Sequence, residues 1–431
     1  MLIRRLAWLG TSAVLAVSAA GAASAGSPTA AVGTPPASAA ADSQLSVRHV
    51  AYKQWADGDA LRRGTLAGTR VRRGAVRIFD PIGVHSYRGR RYGFGRWTSP
   101  WVRPGFGLTE AVPSWRAATP AGTWISVEMR GRTPRGLLSS WDSLGNWAEH
   151  DTKFRRTTLG AQVDDLTRVS VDTLQTQGRS RLHAWQLRVT MHRQVRLTVS
   201  PRLRGIGSMV SALPDGGDAA TSRPGPARGV VLGVPRYSQM VHRGEYPEYN
   251  NGGQAWCSPT STTMVLAYWN RLPDPSEYTW VRDGYRDPEV AHAARYAFDY
   301  GFDGAGNWAF NTAYAGRYGT SSFVTRLRSV REAERFIKAG IPLVASISFG
   351  AGELDNSPIR GTNGHLLVIR GFTERGKVVV NDPAAESAKG VRRVYRRDQF
   401  ADAWIGGSGG VVYVVRPGST PLPRRTSEPN W

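Results

Sequence analysis

Cys257 is the only cysteine among the 431 residues, and it lies in the segment Trp256-Cys257-Ser258-Pro259-Thr260. A loop is predicted to pass into a helix at this point. The unpaired backbone N–H groups at a helix N-terminus stabilise a thiolate and lower the pKa of a cysteine. Two interpretations of Cys257 stand side by side: an activated nucleophile, or a small buried apolar residue.

A cysteine nucleophile needs a base, a group that orients the base, and donors for the developing oxyanion. Of the eight histidines, His242, His292 and His365 follow the predicted linker and so share a domain with Cys257. His365 is the first residue of the apolar run 365–369 and is predicted to lie at the start of a buried strand. His292 fits a packed or surface helix position, and His242 could line a substrate cleft.

A carboxylate can accept the imidazole N–H and fix its tautomer. Asp382 ends the next predicted strand, in Asn381-Asp382-Pro383. If the two strands pair through a turn at residues 373–376, Asp382 returns to the end of the sheet where His365 begins. Turn chemistry alone would also explain Asn-Asp-Pro. The occurrence of Cys257, His365 and Asp382 together favours a catalytic interpretation.

The oxyanion donor has two candidates upstream of the cysteine. Gln239 follows a short extended segment at residues 234–238, and Gln254 lies in the glycine-rich loop just before Cys257. The backbone N–H of Cys257 is a plausible second donor. No His, Cys and carboxylate cluster has metal-ligand spacing, and the predicted chemistry needs no cofactor.

The elements around these residues predict an α+β domain. Apolar periodicity favours helices at 261–269, 288–300 and 330–338. β-branched apolar runs then favour strands at 341–349, 365–369, 378–380 and 411–415.

The N-terminal part has a strand-like pattern. Residues 185–191 alternate apolar and polar side chains, and the alternation continues at Val195, Leu197 and Val199. Glycine and proline interrupt such runs at short intervals, which predicts an all-β sandwich with a jelly-roll-like arrangement. Its many tryptophans favour packing positions over sugar-stacking platforms.

The beginning of the chain is typical of a secretory signal: Arg4 and Arg5, an apolar run at 6–17, and Ala23-Ser24-Ala25. No apolar run reaches the roughly 20 residues of a membrane helix. We therefore expect a secreted protein, extracellular or associated with the cell wall. The predicted segments are a signal peptide (1–25), a flexible leader (26–43), a β-sandwich (44–213), a linker (214–229), the α+β domain (230–417) and a disordered tail (418–431).

Positive charge is concentrated before residue 234, where 32 lysines and arginines stand against 14 acidic residues. Such a surplus predicts anionic partners, such as a cell-wall polymer or a glycan. Compositional drift is the alternative, since only five of the 56 cationic residues are lysine. Nucleic acid is not expected, because export would separate the chain from it and no nucleic-acid motif is present.

Four motifs together resemble a known family: Val-Pro-Arg-Tyr-Ser-Gln (234–239), Cys-Ser-Pro-Thr-Ser-Thr-Thr-Met-Val-Leu (257–266), Gly-His-Leu-Leu-Val-Ile-Arg-Gly-Phe (364–372) and Val-Val-Val-Asn-Asp-Pro-Ala (378–384). Residues 234–416 are similar to the papain-fold, double-glycine-peptidase-like (C39-like) cysteine peptidases of secreted bacterial type. The resemblance implies a papain-like fold, with Cys257 as nucleophile, His365 as base, Asp382 as its orienting group and Gln239 as oxyanion donor.

The sequence thus predicts a secreted cysteine peptidase that acts on a peptide or protein through a thioester and is localised by a basic β-sandwich. Two alternatives stay open. The same triad would serve an acyltransferase or amidase acting on cell-wall peptides, and the chain could also be a wall-binding protein without catalytic activity.

Overall fold

The computed structural model describes residues 47–163, 165–214, 219, 221–425 and 429–431. The predicted signal peptide (1–25) and flexible leader (26–43) lie outside the described residues. No helix within the described residues is long and apolar enough to cross a membrane.

The N-terminal region is built from strands, and the all-β prediction is confirmed. A short helix, α1 (Gly58–Arg62), follows the first strand. The strands of this region, in chain order, are β1 (His49–Trp55), β2 (Thr65–Ala67), β3 (Thr69–Arg72), β4 (Ala75–Ile78), β5 (Gly83–Tyr87), β6 (Arg90–Thr98), β7 (Glu110–Ala118), β8 (Thr123–Arg132), β9 (Asp142–Trp147), β10 (Thr167–Ser170), β11 (Thr173–Thr176), β12 (Ala184–Gln194) and β13 (Arg202–Ala212).

These strands form two antiparallel sheets. The first has the order β10-β11-β7-β13-β4-β3, with β1 also paired to β13, and the second has the order β2-β6-β12-β8-β9, with β5 paired to β6. Trp55 of the first sheet contacts Trp97 and Trp185 of the second at centroid distances of 5.5 and 6.0 Å. Buried aromatic rings therefore join the two sheets, as the packing interpretation of the tryptophans predicts.

The strand predicted from the alternation at Val195, Leu197 and Val199 is wrong, since none of the three lies in a strand and Leu197 is only half-buried. β12 runs through Gln194, and Val195 and Val199 are exposed. The exposed valine side chains of this segment do not pack against the core.

The C-terminal region combines helices with a third sheet, as predicted. Its helices and strands, in chain order, are α2 (Cys257–Tyr268), α3 (Pro288–Ala297), α4 (Trp308–Arg317), β14 (Thr320–Arg326), α5 (Val330–Lys338), β15 (Leu343–Phe349), β16 (Thr362–Phe372), β17 (Val378–Asn381), β18 (Arg392–Tyr395), α6 (Arg397–Ala401) and β19 (Val411–Pro417). The sheet is antiparallel with the order β14-β19-β15-β16-β17-β18. α2 packs against β16, so the helix that begins with Cys257 lies beside the strand that carries His365.

Aromatic rings connect the two regions. Phe310 of α4 is fully buried and meets Trp115 and Trp147 at centroid distances of 6.0 and 5.5 Å. Gly145 permits this approach, because a Cβ there would lie only 2.8 Å from the Phe310 ring. The residues from 47 onward form one compact unit.

Ion pairs reinforce the same interface. Arg326 of β14 pairs with Glu110 of β7 at 2.6 Å, and Arg295 of α3 pairs with Asp151 at 2.8 Å. The described part of the predicted linker also packs on the C-terminal region, since Arg397 donates to the carbonyl of Ser222 at 2.6 Å. The β region is therefore held firmly against the α+β region.

The described part of the predicted disordered tail is ordered instead. Trp431 is 1% exposed, packs edge-on against Phe336 at 4.9 Å, and donates from its indole N–H to Pro423. Asn430 donates to Arg326 and Glu332 at 2.9 Å each. Burial of the Trp431 side chain offsets the entropy that is lost when this segment becomes ordered.

Because Phe310 joins the cores of both regions, we expect Phe310→Ala to lower the free energy of unfolding by about 3–5 kcal/mol. Tryptophan fluorescence and far-UV circular dichroism should report one shared urea transition in wild type and variant. Leu159→Ala, at a side chain that is 57% exposed, is the matched control and should leave the midpoint of the urea transition unchanged. Separate transitions for the two signals would show that the regions unfold independently.

Candidate active site

α2 begins at Cys257 itself, earlier than the predicted start at residue 261. Trp256 is fully buried and donates from its indole N–H to Tyr249 at 2.6 Å, which fixes the residue before the helix. Pro259 is tolerated in the first turn because no intrahelical partner awaits its missing N–H. Cys257 is therefore presented at a rigid helix start.

Several groups act on the sulfur of Cys257. Burial raises the pKa of the thiol, but the hydrogen bond and positive charge of His365 lower it, as do the N–H groups of Leu366 and Ser258. The net pKa of Cys257 lies below that of an ordinary thiol. The arrangement favours the nucleophilic thiolate.

His365 lies on β16, opposite Ile347 of β15, and is 4% exposed. Its Nε2 is 2.8 Å from Oδ1 of Asp382. Since Nε2 faces Asp382, Nδ1 is the ring nitrogen left for the sulfur. Burial disfavours the imidazolium, but the charge and hydrogen bond of Asp382 and the bond to Cys257 raise the pKa of His365 to about 10.

The β16–β17 hairpin brings Asp382 to His365. Val368 pairs with Asn381, so the residue after β17 returns beside the N-terminal half of β16. The turn closes where predicted, with the N–H of Gly376 donating to Thr373 at 2.8 Å. Strand register therefore places these two side chains in contact.

Asp382 is completely buried and has two further donors. The hydroxyl of Tyr395 donates to Oδ2 at 2.7 Å, and the N–H of Ala384 donates to Oδ1 at 3.1 Å. Burial alone would raise the pKa of Asp382, but His365, Tyr395 and Ala384 together lower it. The carboxylate therefore stays ionised beside the imidazole. Sequence reasoning missed Tyr395, whose strand carries no catalytic motif.

Gln239 is anchored to the segment that carries Asp382. Its backbone N–H donates to Pro383 at 2.9 Å, and its side-chain Nε2 donates to the carbonyl of Gln254 at 2.8 Å. Gly253 permits this contact, since a Cβ there would lie 2.2 Å from the carbonyl oxygen of Gln239. The Gln239 side chain is 3% exposed, whereas Gln254 is exposed.

A cleft of about 660 Å³ contains Gln239, Gln254, Cys257 and His365 in its lining. Phe302, Trp308 and Ile359 contribute apolar surface to it. His242 and His292 are outside this lining and are buried elsewhere: His242 contacts Glu245 at 2.7 Å and His292 contacts Tyr314 at 2.9 Å. The expectation that His242 lines the cleft is therefore wrong. The structure brings the predicted nucleophile, the predicted base and both candidate glutamines together at one cleft, with Asp382 buried behind it.

The β region holds the cleft wall formed by residues 299–308. Asp172 accepts the N–H groups of Trp308 and Ala309 at 2.5 and 3.0 Å, at the start of α4. Asp299 is fully buried and accepts the N–H and hydroxyl of Thr158 at 2.9 and 2.8 Å. These contacts were not predicted, because they join segments far apart in the sequence.

Asp299 also closes the turn that carries Phe302. Asp299 and Gly304 exchange backbone hydrogen bonds at 2.9 and 3.3 Å, and the N–H of Phe302 donates to Asp299 at 3.2 Å. Phe302 is 48% exposed where it lines the cleft. The N-terminal region therefore positions part of the surface that a substrate would meet.

Within the described residues, no three His, Cys, Asp or Glu side chains are grouped so that they could hold a metal ion. The chemical groups that the cleft offers are a thiol, an imidazole, amides and hydroxyls.

Two family models match the chain. Residues 231–410 match the Peptidase_C39 like family, and residues 51–211 match the Peptidase C39 N-terminal domain. The chain is a C39-like cysteine peptidase by family. The matches cover both regions, so the C39-like assignment includes the β region as well as the cleft-bearing region.

No curated protein matches this C39-like chain. Among solved structures, one described as "Structural basis for the promiscuous specificity of the carbohydrate-binding modules from the beta-sandwich super family" is 10% identical. The match covers 38% of this chain and 56% of that chain, with a TM-score of 0.14. A similarity this low supports no argument about fold or ligand.

Loss of the Asp382 charge should raise the pKa of the thiol. In Asp382→Asn the pKa of His365 falls, so less imidazolium is present to stabilise the thiolate. The pH at which the alkylation rate reaches half of its maximum should therefore increase. Iodoacetamide labelling followed by intact-mass spectrometry measures this, and every adduct reports Cys257 because the chain has no other cysteine.

Asp398→Asn is the control for this experiment, since that carboxylate is exposed and pairs with Arg396 at 2.5 Å. It should leave the alkylation midpoint unchanged. A midpoint that stays in place or moves to lower pH in Asp382→Asn would contradict the role of Asp382 in raising the pKa of His365 and thereby stabilising the thiolate.

Proposed function

We propose that this protein is an active cysteine peptidase in which Cys257, His365 and Asp382 form the catalytic triad of a papain-like domain. The observation that carries the proposal is the hydrogen-bonded series from Tyr395 through Asp382 to His365, with His365 and Cys257 together in the lining of one cleft. Its reactive end opens on a cleft, and its other end is buried.

The proposed reaction begins with the thiolate–imidazolium pair. The sulfur attacks the carbonyl carbon of a peptide bond, and the carbonyl electron pair moves to oxygen. His365 gives its proton to the leaving amine as the C–N bond breaks, which leaves a thioester. His365 then removes a proton from water, the hydroxide adds to the thioester, and the carboxylic acid product leaves as the thiolate re-forms.

Gln239 is the better candidate for the oxyanion donor. One of its two amide hydrogens is already held by Gln254, so the side chain is oriented before substrate arrives. The second amide hydrogen is then available for the developing negative charge. Preorganised donors of this kind stabilise the transition state without a reorganisation cost. The side chain of Gln239 is buried, whereas that of Gln254 is exposed.

The substrate we propose is a peptide or protein with an apolar side chain near the cleaved bond. Phe302, Trp308 and Ile359 provide the surface that would receive it. The predicted signal peptide supports action outside the cytoplasm, as a secreted enzyme.

A peptide library incubated with protein in a reducing buffer tests the activity, with products identified by mass spectrometry. Cleavage in H₂¹⁸O should introduce one labelled oxygen into the new carboxyl group. Cys257→Ala should abolish cleavage, and His365→Ala should lower kcat/KM by about 10²–10⁴-fold. His183→Ala, at an exposed histidine of the β region, is the control and should retain full activity.

Added glycinamide distinguishes hydrolysis from acyl transfer in the same assay. Predominant glycinamide adducts at modest amine concentration would replace the peptidase proposal with an acyltransferase. Absence of both cleavage and transfer in folded, reduced protein would exclude a catalytic role.

Gln239→Ala should lower kcat by about 10²–10³-fold with little change in KM, because the lost interaction forms only in the transition state. Gln254→Ala is the matched control and should retain the wild-type kcat. Steady-state kinetics on a peptide from the library measure both. The reverse pattern would assign the oxyanion donor to Gln254.

A further inference from the structure

Six arginines are gathered at one end of the first β sheet. We refer to them as the arginine face, and they lie on β3, β4, β13 and the turn between β3 and β4: Arg70, Arg72, Arg73, Arg77, Arg202 and Arg204. Arg72, Arg73 and Arg204 are exposed, and Arg77 and Arg202 are half-buried.

Strand register puts four of these side chains on the same side of the sheet. Val71 pairs with Val76, and Leu203 pairs with Val76, which is fully buried. Successive residues of a strand point to opposite faces. The residues flanking these apolar positions therefore share the outer face: Arg70, Arg72, Arg77 and Arg202. At Arg204 a β-bulge between Leu203 and Gly205 interrupts the alternation.

Arg70 and Arg77 are direct cross-strand partners. Like charges placed opposite each other destabilise a sheet. Burial lowers the pKa of Arg77, and so do the charges of neighbouring arginines, in the order Arg202, Arg73, Arg204 and Arg72. The strongest charges acting on this side chain are all positive, so the face carries unbalanced charge.

The Nε atoms of Arg77 and Arg202 are buried, and among the described residues neither has a hydrogen-bond partner. On α1, the helix beside this hairpin, Asp59 is already paired with Arg62 at 2.7 Å. Arg70 lies over the exposed ring of Phe79 at 3.9 Å.

Two arginines elsewhere in the chain illustrate balanced charge. Arg188 pairs with Glu128 at 2.5 Å, and Arg397 pairs with Glu334 at 2.6 Å. The arginine face differs from these two pairs because the charges that act most strongly on Arg77 are all positive.

We infer that the arginine face is a binding site for a flexible linear polymer that carries phosphate groups. The face spreads over three strands, so a chain with repeated anionic groups matches it better than a single ion. A guanidinium offers a planar fork of donors that fits phosphate oxygens. A tetrahedral phosphate can bridge several crowded guanidinium groups, whereas a carboxylate has only two coplanar oxygens.

A soluble chain fits this face better than a lipid bilayer. Arg77 and Arg202 are half-buried and lie lower than the exposed arginines, and a flexible chain can adapt to this uneven surface. The apolar loop beside the face carries the acidic residue Asp80 between Phe79 and Ile82, which opposes its insertion into an anionic membrane. Binding here is independent of Cys257 chemistry.

Fluorescence anisotropy with labelled polyphosphate tests the inference on the full protein over a series of salt concentrations. Arg72→Gln/Arg77→Gln/Arg202→Gln should weaken binding about tenfold or more, and should reduce the slope of log K against log salt by about 2–3. Arg88→Gln/Arg90→Gln/Arg91→Gln removes equal charge from the β5–β6 hairpin and is the matched control. It should retain most of the affinity.

Equal weakening in both triple variants would show that net charge alone drives binding and would overturn the site. Binding only to vesicles of anionic phospholipid, or equally tight binding of polygalacturonate, would also overturn the proposal. The melting temperature of the first variant should equal or exceed that of wild type, because like-charge repulsion is relieved. If the triple variant of the arginine face does not fold, the double variant Arg72→Gln/Arg73→Gln, at exposed positions, provides the same comparison with a smaller expected loss of affinity.

Discussion

The buried carboxylate of Asp382 is the group on which the candidate active site depends. It can remain ionised in the interior only because His365, Tyr395 and Ala384 all donate to it. That charge raises the pKa of His365, and the resulting imidazolium stabilises the Cys257 thiolate. An unpaired buried carboxylate would take up a proton instead, and the thiol would then lose its activation.

Two further buried carboxylates connect the β region to the cleft. Asp172 holds the start of α4, and Asp299 joins Thr158 to the turn that carries Phe302. With Phe310 packed against two tryptophans of the β region, the cleft wall and the N-terminal sheets belong to one compact unit. This coupling gives a physical reason for the two regions to occur in one chain. The β region shapes the site as well as offering its own basic surface.

Local signals predicted some elements well. α5 matches its predicted bounds, because Ser329 caps its N-terminus and one apolar stripe faces the core. α4 was missed, because nearly all of its residues are buried and no stripe distinguishes one face. The described part of the tail was wrongly predicted to be disordered, because the packing of Trp431 in the core has no local signal in the sequence.

The sequence by itself determined the candidate nucleophile, base and carboxylate. A lone cysteine at a helix start and a histidine and an aspartate at the ends of consecutive strands are local patterns with local physical causes. Only the tertiary structure decided that Tyr395 supports Asp382, that Gln239 is buried beside the cleft, and that the β region holds residues 299–308. Those contacts join segments distant in the chain, and hydrogen bonds between such segments have no periodicity that a sequence could display.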